Sequence, residues 1–137
     1  MITAIDTNVL LDVMLPDVTH VEESAKLLRR AYDEGGLLIS HIVYAELVPQ
    51  FKTKQALTDV LSKLGVETSP TDEEVAFTAG TKWKAYREAG GTRQRIITDF
   101  IIGAHALLRA DRFLTRDRGF YRTYFPELPR LENVKDP

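Results

Sequence analysis

Four acidic residues interrupt apolar stretches of the sequence at points where a packed core is expected to begin. They are Asp6, Glu46, Asp99 and Asp117. A carboxylate among apolar side chains is costly to bury unless hydrogen bonds or a positive charge compensate it. Four such residues therefore suggest one shared site that holds a cation, which we interpret as a metal ion.

A cluster of carboxylates restricts the chemistry that the site could perform. Carboxylates about 5 Å apart repel each other by roughly 3 kcal/mol per pair at an effective dielectric constant near 20. Since a domain is stable by only about 5 to 15 kcal/mol, the group must bind a cation or retain protons. Oxygen ligands without a cluster of His or Cys favour Mg²⁺ or Mn²⁺, which can activate and orient a water for attack on phosphorus. The reaction indicated is hydrolysis of a phosphodiester bond.

Composition is typical of a soluble globular protein, and we expect a single domain over residues 1–137. Of all residues, 44% are hydrophobic and 28% are charged, and no apolar run of about 18 residues could cross a membrane. The N-terminus lacks the basic flank and apolar stretch of a secretory signal, so we expect a cytoplasmic protein. The absence of cysteine excludes disulfides, thiolate zinc sites and cysteine nucleophiles.

Charge is unevenly distributed along the chain. The net charge is −2, which argues against a protein that coats nucleic acid. Residues 82–130, however, contain 11 Lys and Arg against 5 Asp and Glu, and this stretch includes Asp99 and Asp117. A basic stretch beside an acidic site suits a polyanionic substrate drawn to bound metal. The alternative is a solvated helix face rich in arginine.

Hydrophobic patterns predict buried strands that alternate with amphipathic helices. Strands are predicted at residues 1–6, 37–39, 66–68 and 112–115, with a last edge strand at 131–134. Helices are predicted at residues 7–15, 19–34, 40–48, 53–64, 71–89 and 98–107, with a short helix or turn at 121–124. Suitable N-cap residues are Thr19 and Thr71 in capping boxes, together with Ser40, Thr53 and Thr98.

This alternation favours an α/β fold with a mainly parallel central sheet of about four or five strands. Asp6 would end the first strand and Asp117 would follow a later one. Glu46 and Asp99 would lie in the first two turns of helices. The carboxyl ends of parallel strands converge on a crevice where the strand order switches, and ligands bind there. The four acids are therefore compatible with one pocket.

Four short motifs contain these acids. They are Asp6-Thr7-Asn8 after an N-terminal strand, Ala45-Glu46-Leu47 on a helix, Thr98-Asp99 before an apolar helix, and Thr115-Arg116-Asp117. In order and spacing they resemble the motifs of PIN-domain nucleases, and most closely those of the VapC-type toxins of toxin-antitoxin pairs. The resemblance covers essentially the whole chain. It implies a three-layer α/β/α sandwich, a Mg²⁺- or Mn²⁺-dependent endoribonuclease, a homodimer, and inhibition by a small antitoxin protein.

The resemblance also implies a role for each acid. Asp6 and Asp99 would bind the metal directly, whereas Glu46 and Asp117 would bind it directly or through water. Hydrogen bonds from supporting residues would orient the carboxylates or the water. These supporting residues are Thr7, Asn8 and Thr115.

Two arginines flank the last acid of the set. We expect Arg116 and Arg118 to contact RNA phosphates, because guanidinium groups bind phosphate oxygens with charge-assisted hydrogen bonds. The alternative is a surface ion pair between these arginines and Asp117.

Three of the four acids, like the two histidines of the predicted helices, also have explanations that involve no chemistry. Asp6 and Asp99 could be acids at helix N-termini, where the helix dipole contributes about 0.3 to 1 kcal/mol. Glu46 could pair with an arginine or face solvent. His41 and His105 are isolated histidines on predicted helices, and we interpret them as structural residues.

Three other functions compete with a metal-dependent ribonuclease toxin. A phosphatase of the haloacid-dehalogenase type also starts with a strand and an aspartate, but it needs a second acid where this chain has Asn8. A non-catalytic binding module of the same fold commonly lacks one or more of the acids, all of which are present here. A PIN nuclease of RNA maturation or decay would share the whole site, and only the small size of the chain favours the toxin.

Overall fold

The computed structural model describes residues 1–15, 19–91 and 97–132. The strands are β1 (Ile2–Ile5), β2 (Gly36–Ser40), β3 (Val66–Ser69) and β4 (Arg112–Leu114). The helices are α1 (Thr7–Met14), α2 (Val21–Glu34), α3 (His41–Leu47), α4 (Lys54–Leu64), α5 (Glu73–Glu88), α6 (Ile97–Arg109) and α7 (Arg118–Tyr124). A 3-10 turn at Val48–Gln50, which contains Pro49, follows α3.

The four strands form one parallel sheet with the order β3-β2-β1-β4. The chain places β2 and β3 on one side of β1 and then crosses over to place β4 on the other side. The strand order therefore switches between β1 and β4, and ligands of open parallel sheets bind beyond the carboxyl ends of the strands at such a switch. The segments that follow β1 and β4 are consequently the first places to look for a site.

Helices cover both faces of the sheet. Ala4 and Ile5 of β1, like Phe113 and Leu114 of β4, are consecutive residues that are each at most 2% exposed. Successive side chains of a strand point to opposite faces, so burial of both neighbours requires cover on both sides. The predicted α/β/α sandwich with a parallel sheet is confirmed. No helix within residues 1–15, 19–91 and 97–132 combines the length and apolar character needed to cross a membrane.

Several predicted helix boundaries are confirmed by the hydrogen bonds at the helix ends. Ser40 accepts a hydrogen bond from Val43 N–H (3.2 Å), and Thr53 accepts one from Ala56 N–H (3.1 Å). Gly65 ends α4 in the left-handed conformation, with φ of 71°, which a glycine adopts without steric cost.

Both capping boxes were predicted one residue too early. The N-cap of α5 is Asp72, whose carboxylate accepts a hydrogen bond from Val75 N–H (3.0 Å), and the N-cap of α2 is His20. Asp72 also binds Arg109 of α6 at 2.6 Å. Asp72 thus combines capping with an ion pair, which the uncharged Thr71 side chain could not form.

Two further predictions fail at the ends of the last elements. Thr98, expected as an N-cap, lies inside α6. Among the described residues, the expected last strand is represented by one bridge, between Phe113 and Arg130, and Pro129 has no N–H with which to extend a ladder before it. Residues 133 and 134 of that expected strand lie outside the described residues.

Aromatic packing fixes the position of α6 against α7. The ring centroids of Phe100 and Phe120 are 5.2 Å apart, in an edge-to-face arrangement. Gly103 allows close approach on the same side of α6, since a Cβ atom there would lie only 2.5 Å from the Phe125 ring. The beginning of α6 is thereby held against the beginning of α7.

Candidate active site

Asp6 lies at the junction of β1 and α1, beyond the carboxyl end of the central strand. It is 7% exposed and is the N-cap of α1. Its Oδ1 accepts a hydrogen bond from Thr7 N–H (2.7 Å), and its Oδ2 accepts one from Thr115 Oγ1 (2.6 Å) and a longer one from Asn8 Nδ2 (3.4 Å). The local sequence therefore surrounds this carboxylate with neutral donors.

Burial raises the pKa of Asp6 from 3.8 to about 6. Hydrogen bonds from Thr115 and Thr7 oppose this rise, whereas the negative charges of Glu46 and Asp117 add to it. Neutral donors thus only partly stabilise the charged form. Burial is the main cause of the rise, and the charges of Glu46 and Asp117 make the smallest contributions to it.

Glu46 lies in the second turn of α3, as its position after Ser40 indicated. Its Oε1 accepts a hydrogen bond from Thr7 Oγ1 (2.7 Å). Thr7 therefore contacts two acids at once, Asp6 through its backbone N–H and Glu46 through its hydroxyl. This residue sets the spacing between the start of α1 and the solvent-exposed carboxylate on α3.

Asp117 follows β4 and precedes α7, so it lies beside Asp6 across the switch in strand order. Its backbone N–H donates to Thr115 Oγ1 (3.0 Å), and the same hydroxyl donates to Asp6. Thr115 is 2% exposed. A single buried hydroxyl therefore connects the two segments that bear these acids.

Asp99 occupies the first turn of α6 and is partly buried. Its carbonyl oxygen lies 3.5 Å from Tyr121 Oη, which donates to it. Together with the contact between Phe100 and Phe120, this places the beginning of α6 next to the segment that carries Asp117. Backbone and aromatic contacts thus place Asp99 against α7, while hydrogen bonds connect Asp6, Glu46 and the Asp117 segment.

The site supplies the hard oxygen ligands that a Mg²⁺ or Mn²⁺ ion prefers. Within residues 1–15, 19–91 and 97–132, no three His, Asp or Glu side chains form a complete ligand group for one ion. Mg²⁺ does not require such a group, because it is usually bound by one or two carboxylates with waters and substrate phosphates. Buried Asp6 with two acids acting on its charge fits this partial coordination.

The two flanking arginines bind acids on neighbouring helices. Arg116 donates from Nε and Nη2 to the Asp12 carboxylate (2.6 and 3.0 Å), and Arg118 donates from Nη2 to Glu23 Oε1 (2.9 Å). Neither contact was expected from the sequence. Asp12 did carry a usable signal, since it is one more acid within an apolar stretch, and it is 3% exposed.

We still interpret His105 and His41 as structural residues. His105 is 1% exposed, and burial, reinforced by the positive charge of Arg109, lowers its pKa to about 4. It is therefore neutral near pH 7, inside α6 and among core residues. His41 is the first residue of α3 and is exposed.

Sequence comparison assigns the chain to a family. The family described as PIN domain matches residues 3–126. This chain belongs to the PIN domain family. No curated protein matches it.

Solved structures with the same fold cover nearly the whole PIN domain. VapBC2 from Rickettsia felis, bound to a DNA fragment from its promoter, has a chain with a TM-score of 0.72 and 23% identity, and the match covers 95% of this protein and 97% of that chain. VapBC-1 from nontypeable Haemophilus influenzae has a chain with a TM-score of 0.71 and 20% identity, and the match covers 95% of this protein and 96% of that chain. A toxin-antitoxin complex from Klebsiella pneumoniae has a chain with a TM-score of 0.66 and 18% identity, and the match covers 96% of this protein and 99% of that chain. At these identities the likeness establishes the fold.

Proposed function

We propose that this PIN domain, a single domain over residues 1–137, is a Mg²⁺- or Mn²⁺-dependent endoribonuclease. The observation that carries the proposal is Asp6, a buried carboxylate at the carboxyl end of the sheet that is connected through Thr7 to Glu46 and through Thr115 to the Asp117 segment. A fold without a use for this cluster would lose stability by keeping Glu46 and Asp117 close to it. A bound cation would compensate the repulsion between the carboxylates, and it could then take part in catalysis.

Asp6 and Asp99 would bind the metal directly, and Glu46 and Asp117 directly or through water. The ion would supply a water of lowered pKa and stabilise negative charge on the phosphate. Thr7 holds Asp6 and Glu46 at a fixed spacing, and Thr115 does the same for Asp6 and the Asp117 segment.

RNA would approach this site from the side of the loop after β4. Arg118 contacts Glu23 through one nitrogen, and its side chain is 33% exposed, so it can also reach a phosphate. Arg116 is 35% exposed and lies beside it. Their positive charge would draw a polyanionic strand towards the acids.

We further propose that the protein is the toxin of a toxin-antitoxin pair, with a small antitoxin partner, a homodimeric state and a cytoplasmic location. The support comes from similar structures, which are VapBC complexes and a toxin-antitoxin complex. The motifs in the sequence resemble the same class of toxins.

Cleavage of a labelled mixed RNA pool with Mg²⁺ or Mn²⁺ tests the enzymatic proposal. We expect cleavage that is abolished by EDTA and by Asp99→Asn, and that is retained by the control Asp111→Asn. Asp111 is an exposed acid at the opposite end of the sheet, where it accepts a hydrogen bond from Ile2 N–H (2.7 Å). Cleavage that survives both EDTA and Asp99→Asn would refute the mechanism. No cleavage with either metal would instead favour a non-catalytic binding module.

Growth of cells that express the protein tests the toxin proposal separately. We expect growth arrest that the Asp99→Asn variant does not cause, and that co-expression of a short adjacent gene encoding a DNA-binding antitoxin relieves. An active ribonuclease without growth arrest would favour a role in RNA maturation or decay.

A further inference from the structure

An ion pair between Arg116, whose side chain is 35% exposed, and the buried Asp12 lies beside the candidate active site and involves none of the four acids. Arg116 binds the Asp12 carboxylate through two nitrogens, and Ser24 Oγ donates to the same carboxylate (2.6 Å). The Asp12 side chain is 4% exposed. A two-point contact fixes the plane and direction of a guanidinium, so α1 and α2 together determine where the Arg116 side chain lies.

The backbone of Arg116 is held from the same helix. Its N–H donates to Asn8 Oδ1 (3.2 Å), and Asn8 also contacts Asp6 through Nδ2. Arg116 is therefore attached to α1 at both its side chain and its backbone. The residues on either side of it are Thr115 and Asp117, which belong to the site.

Stability alone gives a weak reason for this arrangement. Buried ion pairs contribute little more than well-packed apolar groups, and replacing them with apolar residues is often neutral or stabilising. This pair, however, connects the helix that begins at Asp6 with the loop that carries Asp117. Its effect on the geometry of the site is direct.

We propose that Asp12 is a positioning residue that acts through Arg116. By holding that side chain, it fixes the path of the chain between Thr115 and Asp117, and so the separation of Asp117 from Asp6 that a bound metal has to bridge. This inference rests on the proposed function. It also changes the role expected for Arg116. The two nitrogens that could donate to one phosphate, Nε and Nη2, already donate to Asp12.

The amino end of the sheet offers a matched control. Arg112 is more deeply buried than Arg116 and also has two bonded nitrogens, which donate to Thr3 Oγ1 (2.8 Å) and Glu34 Oε1 (3.2 Å). Arg116→Lys and Arg112→Lys both keep the charge and remove the two-point contact. Only the first change affects the loop beside the acids.

Mn²⁺ affinity of the RNA-free protein, measured by calorimetry, separates positioning from RNA contact. We expect Arg116→Lys and Asp12→Asn to weaken Mn²⁺ binding by about 10-fold or more, the effect typical of residues that orient ligands. Arg112→Lys should stay within about 2-fold of wild type. In RNA cleavage, positioning lowers kcat with KM near wild type, whereas loss of a phosphate contact raises KM.

Amide hydrogen exchange in the metal-free protein supplies a readout that does not depend on function. The amides of residues 116 and 117 should exchange about 10-fold faster in Arg116→Lys and Asp12→Asn, after correction for global stability, and should be unchanged in Arg112→Lys. If Asp12→Asn does not fold, Arg116→Lys carries the test.

Three results would overturn the inference: unchanged exchange in the folded variants, faster exchange with unchanged Mn²⁺ affinity, or an equal loss of affinity in Arg112→Lys. A wild-type protein that neither binds Mn²⁺ nor cleaves RNA would refute the proposed function and the metal-binding purpose of the pair. The exchange measurement would then decide separately whether Asp12 fixes the loop.

Discussion

The two ends of the parallel sheet treat charge in opposite ways. At the amino end, Arg112 lies between Thr3 and Glu34, and its hydrogen bond lowers the pKa of the Glu34 carboxyl. At the carboxyl end, burial raises the pKa of Asp6 to about 6, and two neighbouring acids add to the rise. The Arg112–Glu34 pair at the amino end stabilises the fold, whereas the negative charge of Asp6 at the carboxyl end opposes it. This difference is the one that we expect if the carboxyl end of the sheet holds the active site proposed above.

The largest effect is expected from removing the charge of Asp6. Asp6→Asn should lower RNA cleavage by more than about 100-fold, since even residues that only orient metal ligands contribute about 10- to 100-fold. Steady-state cleavage of a defined RNA in excess Mg²⁺ measures the loss. Activity within about 10-fold of wild type would show that the carboxyl end is not the catalytic centre.

The same variant should gain stability in the absence of metal. The pKa of Asp6 rises from 3.8 to about 6, and one pKa unit corresponds to about 1.4 kcal/mol, so the gain is at most on the order of 3 kcal/mol at pH 7. The ionised form is the disfavoured one, so the folded state binds more protons between about pH 4 and 6. The wild type should therefore lose stability as pH rises through this range, and the advantage of Asp6→Asn should vanish below it.

Urea unfolding in EDTA across this pH range measures that advantage. An advantage of Asp6→Asn that is equal at pH 4 and pH 7 would show that the acids do not strain the fold. Mg²⁺ should stabilise the wild type more at pH 7 than at pH 4, and should have little effect on Asp6→Asn.

A change at the amino end should lower stability and leave cleavage nearly unchanged, which is the reverse of the result expected for Asp6→Asn. Arg112→Met should destabilise the protein by about 1 to 3 kcal/mol, because it leaves the buried Thr3 hydroxyl without its donor. Cleavage per folded molecule should remain within about 2-fold of wild type. A large loss of activity at full folding would mean that the two ends are not independent.

The smallest effect is expected for Glu34→Gln. The folded pKa of Glu34 is lowered, first by the hydrogen bond from Arg112, so its contribution is present above its ordinary value of 4.5 and is lost as pH falls. Because Glu34 is exposed, solvent and salt weaken the effect. Unfolding at low and high salt should show a small destabilisation at pH 7 that disappears near pH 3, the reverse of the trend for Asp6.

Local patterns in the sequence predict most of the fold. The buried runs of β1, β2 and β4, with Gly35 and Gly65 as helix ends, are sufficient to indicate a parallel α/β sheet. They do not choose between neighbouring capping residues such as Thr71 and Asp72, and the contact of Asp72 with Arg109 on another helix is not visible in a local pattern.

Local patterns in the sequence also indicate the acids of the candidate site, but not the ion pair beside them. Acids within apolar stretches point to Asp6 and its partners, and the order of the strands explains how they meet. The pairing of Asp12 with Arg116 spans 104 residues. No local pattern indicates it, so the sequence predicts only a contact of Arg116 with RNA phosphates or a surface ion pair with Asp117.

The pKa of the Asp6 carboxyl, measured by carbon-13 NMR with and without Mg²⁺, tests the central claim most directly. The raised value reports like-charged neighbours and burial in one number, and a bound cation must reverse it. We expect a pKa near 6 in metal-free protein and a clear fall when Mg²⁺ is added. A metal-free value near 4 that Mg²⁺ leaves unchanged would contradict the assignment of this end of the sheet as a metal-binding active site.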